Sequence, residues 1–122
     1  MLTFLLALTL LAAACGDDST GPDAGSSGGD AQPTVAAGLT PQISWSGANA
    51  RSITVTKMEG GQPTTSVWMV QSATGFPSPV TYGQLPAGAS QLTAATPLQA
   101  GASYRVTLAL VDNKGGFRDI TR

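Results

Sequence analysis

Ala102–Val111, ASYRVTLALV, alternates apolar and polar side chains with a period of two. Tyr104, Val106, Leu108 and Leu110 fall on one side, and Arg105 and Thr107 on the other. An extended backbone turns successive side chains to opposite faces, so this run predicts a strand with one face against a core. Ile43 with Trp45, and Ile53 with Val55, repeat the pattern. Runs rich in β-branched and aromatic residues predict strands at Gln42–Ser46, Ser52–Met58, Thr65–Gln71, Gln91–Ala95, Ala102–Val111 and Phe117–Thr121, with a weaker one at Thr34–Ala37. Gly, Pro and Asn clusters at 46–49, 59–61, 73–75, 86–88 and 112–116 mark turns between them. Val67-Trp68-Met69-Val70 is apolar on both faces. Phe117 and Ile120 are three apart, so they point to opposite faces unless a bulge intervenes. The fold class predicted is all-β: one antiparallel β-sandwich of about seven strands over residues 35–122.

Two unlike segments precede it. Residues 1–14, MLTFLLALTLLAAA, carry no charge. The apolar run Leu2–Ala14 is short of the ~20 residues that span a bilayer as a helix. It suits the apolar region of a secretory signal peptide, which runs ~7–15 residues and ends in small ones. Residues 16–34, GDDSTGPDAGSSGGDAQPT, hold no aromatic and no large aliphatic side chain. With little apolar surface to offset ordering entropy, they are expected to form a disordered linker. A Gly-rich coil of that length has a root-mean-square span of roughly 25 Å.

Cys15 stands at the junction. Leu11-Ala12-Ala13-Ala14-Cys15 resembles the lipobox of bacterial lipoprotein signal peptides, although Ala12 stands where leucine is commonest and the amino end lacks Lys and Arg. A late start codon would account for that second departure. The resemblance implies that the Cys15 thiol carries a diacylglyceryl group, that the signal is cut before it, and that the new amino terminus is acylated. The lipid bilayer is then the first partner, since several acyl chains hold a protein durably where one alone is marginal. Gly16 follows Cys15, in place of the Asp that resembles an inner-membrane retention signal, so the outer membrane is favoured. A cleaved signal with an unmodified cysteine is the alternative.

Leu98-Gln99-Ala100-Gly101-Ala102-Ser103-Tyr104 resembles the fibronectin type III signature, in which a Leu lies six residues ahead of a Tyr whose hydroxyl bonds back to the turn. Ile43-Ser44-Trp45 resembles the strand-B tryptophan of the same family. The resemblance implies structural roles for Trp45, Leu98 and Tyr104, with Trp45 packed in the core. A broader immunoglobulin-like sandwich remains open.

Composition removes much chemistry. The chain has no His and one Cys, so it has no imidazole base, no intrachain disulfide and no CxxC motif. Only 11% of residues are charged, against ~25% in typical soluble domains. Residues 35–122 contain three carboxylates, Glu59, Asp112 and Asp119, two of them at turn signals, so catalysis is not expected. Asp17, Asp18, Asp23 and Asp30 lack calcium-loop spacing, so no metal is expected. No cofactor is expected either. Gly60-Gly61-Gln62-Pro63 has no Lys and no following helix, which excludes a phosphate cradle. Arg51, Lys57, Arg105, Lys114, Arg118 and Arg122 are scattered along the chain, which argues against nucleic acid.

One partner surface is suggested. If Val67 and Met69 face the core, Trp68 faces out beside Phe76, Tyr82 and the Pro-rich loop 75–79. An exposed Trp there would contact an envelope protein or a glycan; otherwise it covers the side of a small sandwich. Function is expected to be non-catalytic binding or spacing at the cell envelope. An accessory or inhibitor of an envelope enzyme, and the first module of a longer lipoprotein, are the alternatives.

Overall fold

The computed structural model describes residues 27–122. The expected signal peptide, Cys15 and residues 16–26 lie outside the described residues. The described strands are β1 (Ser27–Gly29), β2 (Thr34–Val35), β3 (Gln42–Ser44), β4 (Ala50–Glu59), β5 (Gln62–Phe76), β6 (Val80–Thr81), β7 (Ser90–Thr93), β8 (Ser103–Leu110) and β9 (Gly115–Thr121). They form a six-stranded sheet ordered β1-β9-β8-β4-β5-β7 and a three-stranded sheet ordered β2-β3-β6. Every pairing is antiparallel.

The alternation in β8 sets the inner face of the large sheet. Tyr104, Val106, Leu108 and Leu110 are buried, and β4 pairs Val55 with Val106 and Ile53 with Leu108. Trp68 and Val70 of β5 continue the same face. Val35, Ile43 and Val80 from the small sheet join the same hydrophobic cluster. The fold is all-β, consistent with a β-sandwich.

The expected linker ends earlier than residue 34. Ser27, Gly28 and Gly29 pair with Arg118, Phe117 and Gly116, adding β1 to the edge of the large sheet. From Asp30 to Val35 the side chains then alternate strictly, with Ala31, Pro33 and Val35 buried and Asp30, Gln32 and Thr34 exposed. The inward members are small, so the composition resembles a coil while the pattern is that of an extended segment on a core.

β9 contains no bulge against β8: its register runs unbroken from Ser103↔Thr121 to Ala109↔Gly115. Phe117 and Ile120 therefore do point to opposite faces. Ile120 is buried opposite Tyr104, while Phe117 lies on the outer face with Arg105 and Asp119. The turn before β9 is closed by Asn113 at φ 66°, a left-handed conformation that Asn tolerates. The Lys114 N–H donates to Asp112 Oδ1 there at 3.2 Å.

Candidate functional site

Trp68, Phe76 and Tyr82 do not form an exposed patch. Trp68 and Phe76 are 0% exposed and Tyr82 is 5% exposed. The strict alternation that placed Trp68 outside fails at a bulge. Trp68 opposes Val55 and Ser66 opposes Thr56, so Val67 is an extra residue in β5 and both Val67 and Trp68 are buried. The carbonyl freed at Val67 accepts from the Thr96 N–H at 2.8 Å and from the Tyr82 hydroxyl at 3.3 Å. Tyr82 also donates to the Thr96 carbonyl. Trp68 packs edge-on to Tyr82, with centroids 5.2 Å apart, and its indole N–H donates to Gln91 Oε1 at 3.0 Å. Burial, with a smaller contribution from Tyr104, pushes the Tyr82 phenol up to about 12.

The three residues assigned structural roles divide differently. Leu98 and Tyr104 are buried, and the Tyr104 hydroxyl accepts from the Gln99 N–H at 2.9 Å. Trp45 is not enclosed in the core. It follows β3, is half-buried, and sits edge-on to Phe76 at 6.2 Å. Its backbone N–H donates to Ser78 Oγ and its indole N–H to the Ala48 carbonyl, both at 3.0 Å.

Trp45 lines a concavity of about 240 Å³ with Asp30, Ala31, Gln32, Thr34, Ser44 and Ser46. The alternation from Asp30 to Val35 puts Asp30, Gln32 and Thr34 on the outward side of one extended segment, and Ser44 and Ser46 flank Trp45. The surface so built offers a carboxylate, a carboxamide, three hydroxyls and an indole ring. Sequence reasoning missed it because Asp30, Gln32 and Thr34 were assigned to a linker and Trp45 to the core. Their two-residue period was the available signal.

A second concavity, of about 290 Å³, is mainly apolar and includes Leu39, Tyr82, Ala95, Pro97 and Leu98. The two lie at opposite ends of the molecule. Ala50↔Leu110 and Met58↔Ser103 mark the two ends of the large sheet. Trp45 belongs to the first end, since it precedes Ala50 by a short loop, and Leu98 belongs to the second, just before Ser103.

The carboxylates follow the same division. Glu59 lies at the β4–β5 hairpin, 3.8 Å from Lys57, and Asp112 lies in the turn at the opposite end. Asp119 holds Arg105 through two bonds, Nε–Oδ1 at 2.7 Å and Nη2–Oδ2 at 3.1 Å. The hydrogen bond that Arg105 donates to Asp119 raises the Arg105 pKa; burial opposes this and the Asp119 charge adds to it. Among the described residues, no three Cys, Asp or Glu side chains gather where a metal ion could sit, and no helix is long and apolar enough to cross a membrane.

Comparison with protein-family models, curated proteins and solved structures finds no match for this chain.

Proposed function

We propose that this chain is a bacterial cell-envelope lipoprotein, anchored through an acylated Cys15, whose folded part is a non-catalytic binding module on a fibronectin type III-like β-sandwich. Leu11–Cys15 carries the anchor reading, and the Gly16 that follows favours the outer membrane. The fold reading is supported by the buried Leu98 and by the bond from the Gln99 N–H to Tyr104, as in a tyrosine corner. The adjacency of β4, β8 and β9 in one sheet and of β2, β3 and β6 in the other matches the C-F-G and A-B-E arrangement of immunoglobulin-like sandwiches.

The observation that relates the anchor to the concavity is the direction of β1. Ser27 pairs with Arg118 and Gly29 with Gly116, so the chain coming from Cys15 enters β1 from the end of the sheet that holds Thr121 and Ser103. The Trp45 concavity lies at the other end. The tether thus joins the domain at the end opposite the polar concavity, which keeps the concavity away from the point of attachment. Eleven residues separate Cys15 from Ser27, a reach of at most about 40 Å.

Membrane fractionation of cells expressing the full chain tests this. Wild-type protein is expected in the membrane fraction after washing with salt and carbonate, and Cys15→Ser is expected to leave it. Equal membrane retention of both would overturn the anchor.

A further inference from the structure

We propose that the concavity around Trp45 binds a ring of a neutral saccharide, stacked on the indole and hydrogen-bonded by Asp30 and Gln32. This deepens the binding-module reading and is independent of the anchor.

The chemistry of the lining selects the ligand class. The Trp45 N–H is already committed to the Ala48 carbonyl, so Trp45 has only its ring surface to offer. A pyranose presents a C–H face that packs on such a ring, and around its rim it carries hydroxyls that both donate and accept. Asp30 supplies acceptors only, Gln32 both a donor pair and an acceptor, and the hydroxyls of Thr34, Ser44 and Ser46 do either. A rim of mixed polarity beside one aromatic ring matches a polyol better than a ligand with a single kind of polar group.

Charge excludes the nearest competitors. No Lys or Arg lines the concavity, since the nearby Arg118 is turned to the Pro33 carbonyl. Asp30 is the one ionisable group of the lining, so phosphates and acidic sugars meet a like charge and no cationic contact. A quaternary ammonium is recognised by a cage of several aromatic faces, and only one aromatic residue is present here. The backbone is held in place before any ligand arrives. The Arg118 Nε donates to the Pro33 carbonyl at 2.6 Å from beneath the segment, and the Trp45 N–H is held by Ser78.

The test is a titration of the full chain with three neutral hexasaccharides, β-1,4-linked glucose, mannose and N-acetylglucosamine, with choline chloride in parallel. Binding is followed by calorimetry and tryptophan fluorescence. At least one hexasaccharide is expected to bind, with the affinity falling tenfold or more in Asp30→Ala and in Gln32→Ala. Both replaced side chains are exposed, so the thermal midpoint is expected to stay put. Trp45→Ala is expected to abolish binding; because Trp45 also packs on Phe76, the two exposed variants carry the decision if this one does not fold. Absence of binding to all three sugars at millimolar concentration would overturn the proposal. So would binding that both exposed variants leave intact, or binding of choline alone. The full-length Cys15→Ser chain is expected to bind the sugar as tightly as wild type. Loss of sugar binding with Cys15 acylated would therefore remove the ligand and leave the anchor standing.

Discussion

Gly116 of β9 runs so close to Gly28 of β1 that a Cβ on Gly116 would lie 2.5 Å from the Gly28 carbonyl oxygen and 2.6 Å from that of Ala31. Gly115 is as crowded on its other side, where a Cβ would lie 2.6 Å from the Leu108 carbonyl. The contacts are with backbone, which cannot swing aside as a side chain can. Glycine at 116 is thus a condition for β1 to join the sheet, and glycine at 115 for β9 to pair closely with β8. Gly116→Ala is expected to lower stability by about 1–3 kcal/mol, as overpacking does elsewhere. It should also expose the Gly28 and Gly29 amides of β1 to hydrogen exchange before those of β9. Unchanged exchange there would mean that β1 does not depend on this close approach.

The corner at Gln99 and Tyr104 predicts a second effect. Tyr104→Phe removes the acceptor of the Gln99 N–H while keeping the ring in the core. A loss of about 1–2 kcal/mol is expected from denaturant unfolding. An unchanged midpoint would remove the main support for the fibronectin type III-like reading.

Tyr82 gives the fold a response to alkali. Its folded-state pKa is raised from 10.0 to about 12, so the neutral phenol is the form that the fold favours. The stabilisation is complete below pH 10 and is lost as pH rises from 10 towards 12, because the unfolded chain ionises first. The loss amounts to about 2–3 kcal/mol on the usual conversion of pKa shifts to free energy. Tyr82→Phe starts lower, since the Thr96 carbonyl loses its donor, but it is expected to fall less steeply between pH 10 and 12. Parallel curves would contradict this.

On the outer face, Arg105 bridges two elements of β9. Its guanidinium holds Asp119 bidentately and lies 4.3 Å from the centroid of Phe117. A double-mutant cycle between Arg105→Ala and Asp119→Ala is expected to give a coupling of about 0.5–1 kcal/mol. Added salt should reduce it, since both side chains are partly open to solvent. A coupling of zero at low salt would make the pair a spectator.

Much of the fold was legible in the residues. The alternation in Tyr104–Leu110 gave β8 and its inner face, and the Glu59-Gly60-Gly61 signal gave the hairpin between β4 and β5. Strand β1 was hidden because Ser27-Gly28-Gly29 has the composition of a tether, whereas its glycines answer a steric demand made by β9, distant in sequence. Trp68 was misplaced because the extra residue at Val67 lets both Val67 and Trp68 be buried, where strict alternation allows only one of them, and no local signal announces a bulge. The polar concavity joins two segments distant in sequence, residues 30–34 with the composition of a linker and residues 44–46 with a tryptophan suited to a core, so neither segment alone announces it. The Asp30–Val35 alternation was readable but carried by small side chains, which weakens any hydrophobic pattern.

Mass spectrometry of the mature protein extracted from membranes tests the anchored-lipoprotein account most directly. It predicts an amino-terminal peptide beginning at Cys15 and heavier by a diacylglyceryl group and an additional acyl chain. An unmodified Cys15 with a free thiol, or a mature chain cut at another position, would contradict it.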